Sequence, residues 1–235
     1  MSSSALPLVL SARNLDKKFF DPSPIVLLKD LSIDLYKGEA VAIVGRSGEG
    51  KSTLMHILGT LEEPCRGSLQ IAGEKVTTWN KCRIRNKHLA FIFQAFHLFE
   101  EESVLNNILM PASIARIRTD KKSEAYRRAC ATLSLVGLSE RAHFMSKVLS
   151  GGEKQRVAIA RALCNDPDII LADEPSGNLD RETATSIHRL LIDLAHKKNK
   201  ALLIVTHDRE LAELCDKQYL LKEGKLQNLK ENEKD

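Results

Sequence analysis

The 235-residue sequence predicts an α/β fold, an open and largely parallel sheet with a helical lobe inserted midway. Three observations carry this. Apolar runs of strand length recur at Ala40 to Val44, Asp168 to Ala172 and Ala201 to Thr206, each followed by a helical pattern. From about Ala95 to Lys147 such strands vanish, and charge-dense helical periodicity takes over. After Ser150 the alternation of strand and helix resumes.

Taken in chain order, the first 44 residues are β-rich. Leu31, Ile33 and Leu35 alternate with polar residues, Lys37-Gly38 makes a turn, and Ala40 to Val44 forms a buried strand. A helix is expected from Lys51 to about Leu61, then short strands at Ser68 to Ile71 and Ala90 to Phe93. Beyond the lobe, Glu182 to His196 and Arg209 to Leu214 read as helices. Gln218 to Leu226, with Glu223-Gly224 in its middle, reads as a closing hairpin. The expected division is a core of 1–94 and 151–228, a helical lobe of 95–150, and a polar tail of 229–235 that frays.

Composition narrows the class. Hydrophobic residues make up 43% and charged residues 28%, as in ordinary globular proteins. The 35 basic and 31 acidic residues are scattered and leave a net charge of only +4. No basic stripe points to nucleic acid, so no such partner is expected. No stretch reaches the roughly 18 apolar residues of a spanning helix. The N-terminal run ALPLVL is too short for a signal peptide and no positive residue precedes it. The chain is therefore expected to stay in the compartment where it is made. Cys65, Cys82, Cys130, Cys164 and Cys215 are widely spaced and form no CxxC, which fits reduced thiols in a cytosol. The 7 histidines show no metal-ligand spacing.

GRSGEGKS, from Gly45 to Ser52, places a glycine, four residues, then Gly-Lys-Ser directly after a buried strand and at the start of a helix. Gly45, Gly48 and Gly50 let the backbone wrap around phosphates, with Ser47 between them, so that successive N–H groups point inward. The helix N-terminus adds positive partial charge. Lys51 is expected on the β- and γ-phosphates, Ser52 on Mg²⁺ and Thr53 on the α-phosphate. Arg46 and Glu49 occupy the variable positions, and Glu49 brings a negative charge unsuited to phosphate. This pattern alone leaves kinases, GTPases and motors open, although no guanine-reading NKxD segment is present.

Four apolar residues of DIILADEPSGNLD carry a strand up to Asp173 and Glu174. Acids at the C-terminal end of a parallel strand face the ligand crevice. Asp173 is expected to hold Mg²⁺, and Glu174 to orient and polarise the attacking water. Gln94 and His207 end two further strands, and His207 is a candidate for the γ-phosphate. A lone strand-terminal histidine also serves as a structural residue.

Leu149 to Arg156 reads LSGGEKQR. Physically it is a helix start, with Ser150 and Glu153 spaced for a capping box and Gly151-Gly152 exposing backbone donors. Here the chain resembles the ABC ATPases, whose signature LSGGEKQR matches. The remaining pieces fall in that family's order: cradle, Gln94, signature, Asp173-Glu174, Asp180, His207. The resemblance covers roughly residues 8 to 227. It implies a RecA-like P-loop NTPase core with an N-terminal antiparallel β subdomain and an inserted α-helical subdomain. It also implies ATP and Mg²⁺ as ligands, with Gln94 joining Ser52 and Asp173 at the metal. Two copies would pack head to tail, so that Ser150, Gly151 and Gly152 of one meet the ATP of the other. Family members stack an aromatic on adenine. The candidates are Phe19 and, next to it, Phe20.

Repair-type members insert a long coiled coil after Gln94, and translation types fuse two nucleotide domains. This chain has neither, which favours a transport ATPase with separate integral membrane subunits. Within transporters it is most similar to the lipoprotein-releasing branch, with cell-division and MacB-type exporter ATPases as near relatives and alternatives. A soluble non-transport ATPase is the remaining alternative. The residues that carry this are 28 to 45, 58 to 73, 156 to 180 (including Gly177-Asn178) and 205 to 216. The resemblance implies a peripheral protein on the cytoplasmic face of the inner membrane. One stretch departs from the branch, FHLFEEESVLNNI from Phe96 to Ile108, where Glu100 to Glu102 form an acidic run.

Overall fold

The computed structural model describes residues 6–19 and 25–229. Strands β1 (Leu8–Phe19), β2 (Ile25–Tyr36), β4 (Arg66–Ile71) and β5 (Glu74–Lys75) form an antiparallel sheet in the order β2-β1-β4-β5. A second sheet joins β3 (Ala40–Val44), β6 (Leu89–Ile92), β7 (Ile169–Asp173), β8 (Ala201–Val205), β9 (Lys217–Lys222) and β10 (Lys225–Asn228). Its order is β10-β9-β3-β8-β7-β6. All its pairs are parallel except the β9–β10 hairpin, whose turn residues Glu223 and Gly224 both have positive φ.

Seven α-helices lie among the described residues, with two short 3-10 turns at Ser139–Arg141 and Ser146–Val148. The α-helices are α1 (Lys51–Leu58), α2 (Lys81–His88), α3 (Val104–Ile114), α4 (Glu124–Leu135), α5 (Gly151–Leu163), α6 (Arg181–His196) and α7 (Arg209–Glu213). The central strands are buried on both faces, which explains their unbroken apolar runs. Alternate residues face opposite ways. Ala40, Ala42, Ile170, Ala172, Leu202 and Ile204 pack toward the helical lobe, α5 and α6. Val41, Ile43, Ile169, Leu171, Leu203 and Val205 pack toward α1 and the antiparallel sheet.

Two features differ from the sequence expectation. Helix α1 ends at Leu58 because Thr60 turns left-handed (φ 60°) and the Leu61 N–H folds back onto the His56 carbonyl at 2.8 Å. Helix α2 and the short β5 were not anticipated, since KCRIRNKH buries only Ile84 and His88 and shows no apolar stripe. Helix α5 packs on α3 and α4 as well as on β6 and α6, so one apolar cluster runs from lobe to core. Below the sheet, Asp168 accepts from Lys37 at 3.0 Å and pairs with His88 Nδ1 at 2.6 Å, joining three distant segments.

Candidate active site

Strands β3, β8, β7 and β6 are adjacent and parallel, so their C-terminal ends share one edge. Gly45, His207, Asp173-Glu174 and Gln94 leave from those ends. Together with Ser47, Gly48, Gly50, Lys51, Ser52, Thr53 and Leu27 they line one cleft of about 620 Å³. Residues far apart in the chain thus meet where an open parallel sheet binds ligands.

The cradle follows from local backbone geometry. Gly50, at φ 95°, caps α1 in a left-handed conformation that a side chain would strain. Lys51 Nζ donates to the carbonyls of Gly45 at 2.9 Å and Arg46 at 3.0 Å, which fixes the lysine over its own loop. Glu49 points away from the cleft, and its Oε2 accepts from the Glu223 N–H at 3.0 Å. The charge that seemed unsuited to a phosphate site instead anchors the β9–β10 turn. Neither Arg46 nor Glu49 lines the cleft.

Burial pushes the Asp173 carboxyl above its usual range; a hydrogen bond with Ser52 opposes this and the nearby Glu174 charge adds to it. Glu174 itself has φ 45°, a strained value for a non-glycine residue. Its N–H bonds to the Val205 carbonyl at 2.9 Å, which holds the residue to the end of β8. Its Oε2 accepts from Thr206 Oγ1 at 3.0 Å. Its Oε1 accepts from the His207 N–H at 3.0 Å and lies 2.8 Å from His207 Nδ1. Gln94 and Asn178 join reciprocally: Asn178 Nδ2 donates to the Gln94 carbonyl at 3.0 Å, and Gln94 Nε2 to Asn178 Oδ1 at 3.3 Å.

The signature stands apart from this cleft. Ser150 Oγ accepts from the Glu153 N–H at 3.2 Å and Glu153 Oε2 from the Ser150 N–H at 2.9 Å, completing the expected capping box. Gly152 meets α6 so closely that a Cβ there would lie 2.5 Å from Thr183 Cγ2. Ser150, Gly151 and Gly152 do not line the cleft of their own chain.

Phe19 is 41% exposed, and Lys17 Nζ lies 5.1 Å from its ring centroid. It too does not line the cleft. Its cross-strand partner Ile25 does line a hollow beside Ser47, Gly48 and Glu49. Phe20 lies outside the described residues. Sequence reasoning missed Leu27, Thr206, Ser176 and His188. The available signal for His188 was a polar residue on the otherwise apolar stripe of Ile187, Leu191, Leu194 and Ala195.

A strand-bound phosphate cradle facing a strand-terminal acid pair defines a P-loop nucleotide hydrolase. The sequence pattern of the ABC transporter family matches residues 28–177, and the chain belongs to that family as an ATP-hydrolysing subunit. It is 54% identical to the lipoprotein-releasing system ATP-binding protein LolD of Protochlamydia amoebophila, over 92% of this chain and 95% of that protein. It is 44% identical to LolD of Alcanivorax borkumensis, over 94% and 97%. The dimeric bacterial ABC transporter cassette MJ0796 superposes with a TM-score of 0.82 at 35% identity, covering 93% of this chain and 96% of that one. That cassette, solved as a dimer bound to ADP and Pi, superposes with a TM-score of 0.83.

Proposed function

We propose that this chain is the ATPase of a lipoprotein-releasing transporter, working as a head-to-tail dimer on the cytoplasmic face of the inner membrane beneath separate membrane-spanning subunits. One observation carries the catalytic part: the cradle residues Gly45, Ser47, Gly48 and Gly50 to Thr53 surround a single cleft with Gln94, Asp173, Glu174 and His207. The similarity to LolD proteins over nearly their whole length supports the cargo. No described helix is long and apolar enough to cross a membrane.

The roles follow from chemistry. Lys51 leaves its own carbonyls to neutralise the β- and γ-phosphates, while the cradle N–H groups and Thr53 hold the chain of phosphates. Phe19 supplies a face for adenine. Ser52 and Asp173, hydrogen-bonded together, and Gln94 offer oxygen ligands only, the set that Mg²⁺ prefers. The half-buried Asp173 carboxylate is disfavoured as a lone anion, so the site suits a cation. Mg²⁺ supplies charge neutralisation across the phosphates when bound. Glu174 orients and polarises the water, and His207 contacts the γ-phosphate. The partner's Ser150, Gly151 and Gly152 close over that phosphate, consistent with their position outside their own cleft.

The test is affinity purification of the chain from detergent-solubilised membranes. Recovery of integral membrane subunits together with an acylated lipoprotein is expected. Recovery of membrane subunits that stimulate ATP hydrolysis only with another solute would overturn the cargo assignment.

A further inference from the structure

His188 sits on the buried stripe of α6 and is 3% exposed. Packing alone calls for an apolar residue there. A buried imidazole is unfavourable unless hydrogen-bonded, so its partners carry the meaning. His188 Nε2 lies 2.8 Å from Ser176 Oγ and 3.6 Å from Asp208 Oδ2. Ser176 follows Glu174 by two residues, and Asp208 follows His207 directly. The Asp208 N–H donates to Thr206 Oγ1 at 3.0 Å, and that hydroxyl donates to Glu174 Oε2 at 3.0 Å. One imidazole therefore touches both loops that carry the hydrolytic groups, and it does so from outside the cleft that the cradle lines.

We propose that His188 is a positioning residue for hydrolysis, pinning the loop after β7 to the loop after β8 and so fixing the Glu174 carboxylate toward water. This rests on the reading that Glu174 and His207 act on the γ-phosphate. The loop after β7 has a second anchor, Gln155 Nε2 donating to the Pro175 carbonyl at 2.6 Å from the signature helix α5. His188 thus holds the side of that loop that α5 does not. Burial depresses the imidazole pKa, despite the opposing pull of Asp208 and Glu210, and keeps the ring neutral.

The test compares steady-state ATP hydrolysis of the full-length protein and its variants. His188→Leu fills the space without a hydrogen bond and is expected to lower kcat about tenfold with little change in KM for ATP. His188→Gln, whose amide reaches the place of Nε2, should recover most of that loss. Ser176→Ala should fall as far as His188→Leu, and the double variant no further, because either change breaks the same tie between the two loops. If His188→Leu fails to fold, Ser176→Ala and His188→Gln decide the question. Wild-type kcat in both His188→Leu and Ser176→Ala, or a change confined to KM, would overturn the positioning role. Glu174→Gln serves as the separate check on the site: turnover surviving there would sink the underlying reading, whatever His188 does.

Discussion

A single oxygen of Glu174, Oε1, takes both the backbone N–H of His207 at 3.0 Å and its ring Nδ1 at 2.8 Å. The other oxygen holds Thr206, so the carboxylate ties the ends of β7 and β8 together. The left-handed backbone at Glu174 is tolerated because these bonds and the Val205 carbonyl over-determine it. In the mechanism proposed above, the His207 ring leaves this carboxylate for the γ-phosphate, which opens a place for water on Oε1 beside the His207 N–H.

Glu174→Gln keeps the shape and loses the anion. Its ATP affinity should stay near wild type, while kcat falls by about 10²-fold or more, the range for a positioned acid–base group. Single-turnover hydrolysis together with equilibrium ATP binding checks this. Equal losses in both would mean that Glu174 holds nucleotide and does not act on water.

Lys51→Ala should cripple binding itself. The lysine already lies over the cradle, held by Gly45 and Arg46 carbonyls. Removing it leaves phosphate charge unpaired, a loss on the order of 2–5 kcal/mol in ATP affinity by calorimetry. The fold should survive, because only two loop hydrogen bonds are lost. Wild-type affinity would refute the cradle.

The strands, the cradle and the capping box were legible because each rests on local rules. These are unbroken apolar runs for two-faced burial, glycine spacing for a phosphate loop, and Ser-x-x-Glu for a helix start. What the chain brings together across distance was not legible. Glu49 looked misplaced until the Glu223 N–H was seen to occupy it. Lys37, His88 and Asp168 carry no joint signal in sequence, yet they form one cluster. Helix α2 lacks a stripe because only Ile84 and His88 anchor it. His188 was one of seven dispersed histidines until α6 set it against Ser176.

Acid should destabilise the protein partly through His188. Burial lowers its pKa in the fold, against Asp208 and Glu210. Below about pH 6.5 the unfolded chain takes up a proton that the folded state refuses, so stability falls as pH drops through that value. The loss levels off once pH passes below the folded pKa. Urea midpoints at about pH 8 and about pH 5 should differ more for wild type than for His188→Gln. Equal pH dependence in the two proteins would contradict a buried neutral imidazole.

The central claim is that the nucleotide site is shared between two copies, and Ser150→Asp tests it most directly. Aspartate is as good a helix N-cap as serine, so the melting temperature should hold. Its charge would face the partner's γ-phosphate and abolish hydrolysis. Lys51→Ala should be inactive for a different reason. Mixed together, the two inactive proteins form heterodimers in which one site carries both defects and the other carries neither. The account predicts ATP hydrolysis in the mixture that neither protein shows alone. Wild-type turnover by Ser150→Asp on its own would contradict it.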